Sequence, residues 1–332
     1  MTLDYRVLQK TDYQLSDSHH DFALNVLLGL SQYPKSVPSR YLYDAEGDKL
    51  FQQIMNLPEY YLTQCEFEIL QNHKDQIIDL VFEDQTNLIE LGAGDGQKTE
   101  ILLEHLINID LNFEYVPIDI SESSIKGLVS GLKKSYPEMK IEGLVAEYFE
   151  GLKWLSCDNQ GHNVVLFLGS SIGNFSHSEA RVFLFSLWNA LNDGDIILIG
   201  FDLKKDIQTL TKAYNDSQGI TARFNLNLLN RINKELGGNF DPDCFQYHNT
   251  YNVFTGAMES YLVSCEEQNV YIKELNQFFS FESWESLHTE YSHKYLLSEI
   301  SALAEETGFN IIHQFSDSRQ YYIDSLWQVV KR

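Results

Sequence analysis

The stretch Asn87-Leu-Ile-Glu-Leu-Gly-Ala-Gly-Asp-Gly-Gln-Lys98 decides the fold of this chain. Its apolar first half predicts a short buried strand, and the residues from Lys98 to His105 predict a helix. Glycines between a strand and a helix let the backbone approach a ligand closely and leave amide N–H groups accessible at the helix N-terminus. The sequence therefore predicts a ligand-binding turn at the end of a strand, with Gly92 and Gly94 in it.

Two acidic residues accompany this turn. Glu90 stands at the strand end, where its charge disfavours a pyrophosphate and suits a sulfonium or an amino-acid ammonium. Asp119 ends the next predicted strand, Phe113-Glu-Tyr-Val-Pro-Ile-Asp119, at a position where a carboxylate can hold a ribose diol. The turn is thus not the G-x-G-x-x-G dinucleotide motif, and the pair of features resembles class I S-adenosylmethionine methyltransferases.

Composition narrows the class of protein. The net charge of −24 over 332 residues makes nucleic-acid phosphates improbable partners, because approach to them would be repulsive. The 4 cysteines have no close pairing and the 10 histidines have no ligand-like spacing, so we expect free thiols and no metal site. We also find no signal-peptide pattern and no apolar run long enough for a membrane span. These features predict a cytoplasmic protein with a small-molecule partner, and a monomer is compatible with them.

The order of predicted elements gives an α/β fold. Strand–helix alternation runs from Leu88 to Leu203, and nearly all-apolar stretches such as 164–168 and 196–199 are typical of strands covered on both faces of a parallel sheet. The alternation stops after Leu203, and helix, strand and strand return from Lys294. We therefore predict a doubly wound sheet with an antiparallel last strand, formed by 63–204 and 294–332. Residues 1–62 and 205–293 would form an inserted α+β substrate-binding lobe.

Several polar segments are candidates for binding an acceptor. Tyr43 and the pair Tyr60-Tyr61 lie among polar residues, where tyrosines either pack with a wet tip or form a cage for an amine. Asn174 follows a buried strand in Phe167-Leu-Gly-Ser-Ser-Ile-Gly-Asn174, and its amide can both donate and accept a hydrogen bond. Glu290 and Ser292 lie two residues apart, which places them on one face of an extended segment.

The chain resembles the histidine-specific Nα-methyltransferase family of ergothioneine biosynthesis over nearly its whole length. The resemblance rests on six ordered motifs. They are Tyr41-Leu-Tyr-Asp-Ala-Glu-Gly, Leu57-Pro-Glu-Tyr-Tyr, Glu90-Leu-Gly-Ala-Gly, Val116-Pro-Ile-Asp-Ile-Ser, Phe167-Leu-Gly-Ser-Ser-Ile-Gly-Asn and Ala213-Tyr-Asn-Asp-Ser-Gln-Gly-Ile-Thr.

The resemblance implies roles for individual residues. It implies S-adenosylmethionine as cofactor, bound by Gly92, Lys98 and Asp119, with Glu147 and Tyr148 beside the adenine. It also implies roles in binding the acceptor. The amino-acid backbone of the acceptor would be held by Tyr60, Asn174 and Tyr214, with Tyr43 near the amine. An imidazole would be bound by Glu290 and Ser292.

Two positions depart from the family pattern. Glu147 stands where Asp is more common, and Ser260 stands where histidine enzymes tend to have Met. Because Ser260 would lie near the acceptor side chain, tryptophan, a tryptophan derivative or another small amine stays open as the acceptor beside L-histidine. A non-catalytic protein that only binds S-adenosylmethionine is the alternative from a different class, although such a protein has no need of Asn174, Tyr214 or Glu290.

Overall fold

The computed structural model of this chain describes residues 5–7, 18–82, 85–157 and 161–331. In chain order its strands are β1 Tyr5–Val7, β2 Lys35–Ser36, β3 Thr86–Leu91, β4 Phe113–Asp119, β5 Lys140–Ile141, β6 Gly143–Val145, β7 His162–Phe167, β8 Ile196–Asp202, β9 Phe245–Asn252, β10 Ala257–Ser264, β11 Gln268–Ile272, β12 Gln277–Phe281, β13 Ser286–His293, β14 Phe309–Ser316 and β15 Tyr322–Val329.

The α-helices are α1 Ser18–Ser31, α2 Ala45–Met55, α3 Tyr61–Val81, α4 Gln97–Asn108, α5 Glu122–Ser135, α6 Tyr148–Cys157, α7 His177–Ala190, α8 Ile207–Ala213, α9 Ile220–Leu236 and α10 Leu297–Glu306. Short 3-10 turns occupy Ser39–Leu42, Ser171–Asn174 and Pro242–Cys244. The chain divides into two compact units: the first contains Leu62–Lys204, Lys294–Arg332 and the strand β1, and the second contains Ser16–Tyr61 and Lys205–His293.

The first unit is built on a 9-stranded sheet in the order β1-β6-β4-β3-β7-β8-β15-β14, with β5 paired to β4. Strands β3, β4, β7 and β8 pair in parallel, whereas β15 runs antiparallel to both β8 and β14. The predicted doubly wound α/β sheet with an antiparallel last strand is therefore confirmed. Parallel pairing brings the carboxyl ends of β3, β4 and β7 to one edge, which is where ligands bind in such sheets.

Both faces of this sheet are covered. Ile89 and Leu91 of β3 pack in a buried cluster with apolar side chains of α6, α7 and α10. Their neighbours Leu88 and Glu90 are also buried, and Glu90 accepts a hydrogen bond from Thr99 of α4. Since side chains alternate along a strand, α4 lies on the opposite face from α6 and α7.

The second unit combines a 4-stranded sheet, in the order β2-β13-β10-β9, with the two-stranded sheet of β11 and β12. Its long helix α9 packs on α2, β9 and β10. Asp216 accepts the backbone N–H groups of Ile220 and Thr221 at the start of α9, and Gly237 ends the helix with a φ of 66°. The acidic side chain of Asp216 satisfies two N–H groups of the first turn, and the left-handed glycine ends the helix, so both boundaries have a local cause.

The structure corrects three details of the predicted organisation. Strand β1 pairs in parallel with β6, so Tyr5–Val7 belong to the large sheet and not to the lobe to which residues 1–62 were assigned. The sequence pattern of 258–272 predicts one β-rich stretch, but the chain forms two strands there, β10 and β11, separated by residues 265–267. Helix α10 begins at Leu297 and not at Lys294, because Tyr295 is still paired with Leu203 in an isolated bridge and donates its N–H to the Asp202 carbonyl. Lys294 forms an ion pair with Asp202 (Nζ–Oδ2 2.8 Å), and both side chains are completely buried.

Candidate active site

The glycine turn, residues 92–96, joins β3 to α4. Gly92 has a φ of 77°, and a Cβ at this position would lie 2.8 Å from the Tyr148 hydroxyl oxygen. Gly94 has a φ of 55°, with nothing within 4 Å of a Cβ built there. The turn therefore requires glycine at both positions, at Gly92 also because of the close approach of Tyr148, and it leaves open space beside Gly94.

Asp119 is held against this turn by two backbone groups. Its Oδ2 accepts the N–H of Gly94 at 2.9 Å, and its Oδ1 accepts the N–H of Ser121 at 2.9 Å. A carboxylate oxygen can accept more than one hydrogen bond. The carboxylate is thus pre-oriented next to open space, which fits the two hydroxyls of a ribose.

Glu90 lies inside the protein at the end of β3. Its carboxylate accepts hydrogen bonds from Thr99 (2.6 Å) and from the Tyr115 hydroxyl. Burial raises the pKa of Glu90 to about 7, although these two hydrogen bonds and the charge of Lys98 oppose the shift. Both oxygens are therefore engaged by the protein, and a direct contact between Glu90 and a ligand stays a prediction.

Lys98 in the first turn of α4 forms an ion pair with Glu66 of α3. Burial lowers the pKa of Lys98, but the charge and hydrogen bond of Glu66 outweigh this effect, so the pKa lies above its usual value. Glu66 also accepts the backbone N–H of Gly169, the residue that begins the turn after β7, at 2.8 and 3.0 Å. One buried carboxylate thereby ties together α4 and that turn.

Glu147 and Tyr148 follow β6 at the same edge of the sheet. The Tyr148 ring contacts Phe167 and Phe175, with ring centroids 5.3 and 6.2 Å away. Burial and the charge of Asp119 raise the pKa of the Tyr148 phenol, so it stays neutral. The Tyr148 side chain also lies close to Gly92, and this position fits its predicted role beside an adenine.

Asn174 is also in the first unit, at the end of the 3-10 turn Ser171–Asn174. Gly169 and Ser170 precede this turn with φ values of 75° and 56°, so the chain bends sharply directly after the strand β7. The other residues predicted to bind the acceptor belong to the second unit.

In the second unit, five aromatic rings form a continuous series that contains three of the predicted tyrosines. Neighbouring ring centroids lie 5.4 to 6.2 Å apart, mostly in edge-to-face geometry. In order of contact they are Phe224, Tyr43, Phe51, Tyr60 and Tyr214. Such rings present π-faces that attract a cationic or methylated amine.

The segments that carry these rings are tied to each other by polar side chains. Asn227 of α9 donates to Asp44 at 2.7 Å, and Asp44 caps the start of α2 by accepting the N–H of Gly47. Glu59 accepts the Ser217 hydroxyl at 2.8 Å. Tyr43 and Tyr60 are adjacent in sequence to Asp44 and Glu59, so these contacts restrict their backbone positions.

A second group of residues, here called the polar face, comprises Tyr214, Tyr247, Ser260, Glu290 and Ser292. The Tyr214 and Ser292 hydroxyls are 2.7 Å apart, and the Tyr247 and Ser260 hydroxyls are 3.1 Å apart. Tyr247 also donates to the carbonyl of Tyr214 at 2.9 Å. Ser260 is the cross-strand partner of Glu290. Burial raises the pKa of Tyr247, and the charge of Glu290 adds to this effect.

The register of β10 and β13 is irregular beside this group. Ser260 pairs with Glu290, but Tyr261 pairs with His288, so Thr289 is an extra residue in β13. Thr289 donates its hydroxyl to Asn225 of α9 at 2.6 Å. A bulge re-aims the neighbouring side chains, and this one lies directly beside Glu290 of the polar face.

The structure thus brings predicted residues together within each unit. In the first unit, the group consists of Gly92, Gly94, Asp119 and Tyr148. In the second unit, the predicted residues Tyr214, Ser260, Glu290 and Ser292 belong to the polar face. Sequence reasoning missed Tyr247, Phe51 and Phe224 in the second unit, and Glu66 in the first. No local motif marks these residues, because their roles depend on strand register and helix packing.

Two features are absent from the part of the chain that the structure describes: a metal-binding group of side chains and a membrane-spanning helix. It contains no group of three or more histidine, cysteine, aspartate or glutamate side chains placed to hold a metal ion. None of its helices has the length and apolar character needed to cross a membrane.

Known proteins resemble this chain along most of its length. Residues 22–329 match the family of S-adenosylmethionine-dependent, histidine-specific methyltransferases. Histidine N-alpha-methyltransferase of Mycolicibacterium smegmatis is 33% identical over 93% of this chain and 96% of that protein. Ergothioneine biosynthesis protein 1 of Schizosaccharomyces pombe is 30% identical over 89% of this chain and 40% of its own length. The 4-dimethylallyltryptophan N-methyltransferase easF of Claviceps fusiformis is 26% identical, with 81% of each chain covered.

The fold, the glycine turn and the placed acid of β4 define an S-adenosylmethionine-dependent N-methyltransferase of class I. Within that class, the chain belongs to the histidine-specific methyltransferase family. S-Adenosylmethionine is therefore its methyl donor.

Proposed function

We propose that this enzyme methylates the α-amino nitrogen of free L-histidine, up to the trimethylated betaine. Proteins 30–33% identical to this chain are named histidine N-alpha-methyltransferase or ergothioneine biosynthesis protein 1, which supports the proposal. The polar face supports it independently, because its chemistry matches an imidazole.

The residues proposed to bind the cofactor lie in the first unit. Asp119 would accept the ribose hydroxyls, Tyr148 and Glu147 would lie beside the adenine, and Lys98 would bind the carboxylate end. When bound, the cofactor supplies an electrophilic methyl group on a sulfonium. The protein then has to align this methyl with the amine and exclude water, which is a contribution of orientation more than of acid–base chemistry.

The residues proposed to bind the acceptor differ in kind. Tyr60, Tyr214 and Asn174 would hold the α-carboxylate and amine through hydroxyl and amide groups. Tyr43 would stand near the amine, where its ring face tolerates a nitrogen that gains methyl groups and charge. No strong base is needed if the site binds the neutral amine.

The observation that carries the choice of histidine is the burial of the polar face. Glu290, Ser292 and Ser260 are 9%, 5% and 2% exposed. A neutral imidazole offers one N–H donor and one acceptor nitrogen, so a carboxylate and a hydroxyl can satisfy both. An apolar side chain in the same place would leave buried polar groups without partners, which discriminates strongly against it.

A tryptophan derivative is the second candidate acceptor. It is favoured by Ser260, which stands where histidine enzymes tend to have Met, and by a relative named for 4-dimethylallyltryptophan. Against it, the space at Ser260 is adjoined by Tyr247, whose hydroxyl lies 3.1 Å from that of Ser260. The substitution therefore adds a polar contact as well as removing volume.

The proposal includes a free amino acid as partner and the cytoplasm as compartment. The net charge of −24 disfavours nucleic acid as a substrate. Cys65, Cys157, Cys244 and Cys265 are free thiols, which accords with a reducing compartment.

The test is turnover of the purified enzyme with S-adenosylmethionine and a panel of L-histidine, L-tryptophan, 4-dimethylallyltryptophan and L-leucine, with products measured by mass spectrometry. We expect products one, two and three methyl groups heavier from histidine. Glu290→Gln, which keeps the size of the side chain, should raise the KM for histidine about 10- to 100-fold, the loss expected for a charged hydrogen bond. Its affinity for S-adenosylhomocysteine should not change.

Each result distinguishes the candidates. Turnover of an indole substrate without turnover of histidine would overturn the histidine assignment and leave the methyltransferase class intact. Cofactor binding without turnover of any member of the panel would also contradict the proposed acceptor. Substitution of the exposed Glu266 by Gln, in the same unit, is the matched control and should leave the KM unchanged.

A further inference from the structure

We propose that Glu66 is a positioning residue that holds the Lys98 ammonium in place for the cofactor. This inference rests on the proposed contact between Lys98 and S-adenosylmethionine. Glu66 lies in α3, shortly after the motif Leu57-Pro-Glu-Tyr-Tyr, and it is 0% exposed.

The contacts of Glu66 use its whole carboxylate. Oε1 accepts the Tyr322 hydroxyl at 2.8 Å and the Gly169 N–H at 2.8 Å, whereas Oε2 forms the ion pair with Lys98. These partners come from β15, the turn after β7 and α4. Because every partner is a donor and the group is buried, the carboxylate has one defined orientation, and the ammonium bound to it is restrained as well.

The surrounding strands make room for this arrangement. Gly200 lies on β8 beneath Glu66, and a Cβ built there would collide with the Glu66 carboxylate and the Tyr322 hydroxyl. Its cross-strand partner Asp324 is completely buried, and its carboxylate oxygens have no hydrogen-bond partner among the described residues. Burial and the charge of Glu66 raise the pKa of Asp324 well above its usual range, which favours its neutral form.

A lysine side chain loses considerable rotamer entropy when a ligand immobilises it. The ion pair with Glu66 removes that cost in advance, because Lys98 is already ordered with 19% of its side chain exposed. The exposed part is what remains for a ligand carboxylate. Loss of the Glu66 carboxylate would keep the positive charge on Lys98, but the ammonium would no longer be restrained to one position.

The experiment is a double-mutant cycle of Glu66→Gln and Lys98→Met, with the Kd for S-adenosylhomocysteine measured by calorimetry. Glutamine keeps one acceptor oxygen for Gly169 and Tyr322 and replaces the oxygen that pairs with Lys98 by an uncharged amide NH2. We expect Glu66→Gln to raise the Kd about tenfold in the wild-type background and to have less than a twofold effect in the Lys98→Met background. The KM for the acceptor at saturating cofactor should change less than twofold.

Glu68→Gln is the matched control, because it makes the same carboxyl-to-amide change in the same helix, at a carboxylate that accepts the backbone N–H of Ser318 near the surface. It should leave the Kd within twofold of wild type. Equal effects of Glu66→Gln in both backgrounds would show that Glu66 does not act through Lys98, and no effect in the wild-type background would also overturn the inference. If Lys98→Met alone leaves the Kd unchanged, the proposed cofactor contact of Lys98 fails instead. Melting temperatures of all variants identify any that are simply unfolded.

Discussion

The glycine turn and the polar face differ in how the chain assembles them. The glycine turn presents backbone N–H groups from one short stretch, and a single distant acid, Asp119, is bonded to it. The polar face collects hydroxyls and a carboxylate from β9, β10, β13 and the residue directly after α8, with Tyr214 and Ser292 separated by 78 residues. A binding turn made of backbone groups suits a ligand that a whole class of enzymes shares. The side chains of the polar face come from separate elements, so each can be substituted without altering the others. We therefore expect substitutions in the first unit to affect cofactor binding or stability and those in the polar face to affect the acceptor.

The largest effect that tests this comparison concerns the framework of the first unit. Lys294→Met should lower the free energy of unfolding by about 3–5 kcal/mol, because Asp202 would keep a buried charge without its cation. Urea unfolding followed by circular dichroism measures the change. Arg181→Met is the control, since Arg181 and Glu306 are 48% and 47% exposed and such pairs contribute about 0–1 kcal/mol. Similar losses in both variants would show that the buried pair has no special role.

The second test uses pH and the carboxylate beneath the glycine turn. Burial raises the pKa of Glu90 from 4.5 to about 7, so between these values the folded state binds more protons than the unfolded state. The contribution of this group to stability is therefore present at low pH and is lost as pH rises through about 7. Glu90→Gln removes the titration, and its free energy of unfolding relative to wild type should increase by about 2–3 kcal/mol between pH 5 and pH 8.

Urea unfolding at several pH values between 5 and 8 measures this difference. Glu114→Gln, at an exposed position of the neighbouring strand β4, is the control and should differ from wild type by a constant amount. A pH-independent difference for Glu90→Gln would contradict the raised pKa.

The third test addresses the acid that the glycine turn holds. Asp119→Ala should weaken S-adenosylhomocysteine binding by about 1.5–3 kcal/mol, because charge-assisted hydrogen bonds to a ribose would be lost. Calorimetry gives the Kd, and the acceptor KM at saturating cofactor should stay near its wild-type value. Glu122→Ala, an exposed acid at the start of α5, serves as the control. Unchanged affinity in Asp119→Ala would remove the ribose assignment.

The same comparison explains what the sequence could predict. The strand, glycine turn and helix at 87–105 follow from local apolar pattern and turn chemistry, and the acid of β4 follows from the parallel arrangement, so the cofactor class was accessible. The role of Glu66 could not be predicted, because in the sequence it is indistinguishable from any other polar residue of a helix until the packing of α3 is known. Tyr247 was not accessible either, since its contact with Ser260 depends on the register of β9 against β10.

The smallest effect lies within the polar face itself. Tyr247→Phe removes a hydrogen bond to the Tyr214 carbonyl (2.9 Å) and one with the Ser260 hydroxyl (3.1 Å) and leaves the ring in place. Neutral hydrogen bonds contribute about 0.5–1.5 kcal/mol each, so the KM for histidine should rise about 3- to 10-fold. The Kd for S-adenosylhomocysteine should not change, because no described contact of Tyr247 involves the glycine turn. Tyr271→Phe in the same unit, which removes an exposed hydrogen bond to Asn276, is the matched control and should match wild type. If Tyr247→Phe instead changes the Kd for S-adenosylhomocysteine and leaves the KM for histidine unchanged, the assignment of separate ligands to the two regions is wrong. A side chain of the polar face would then affect binding of the ligand assigned to the glycine turn.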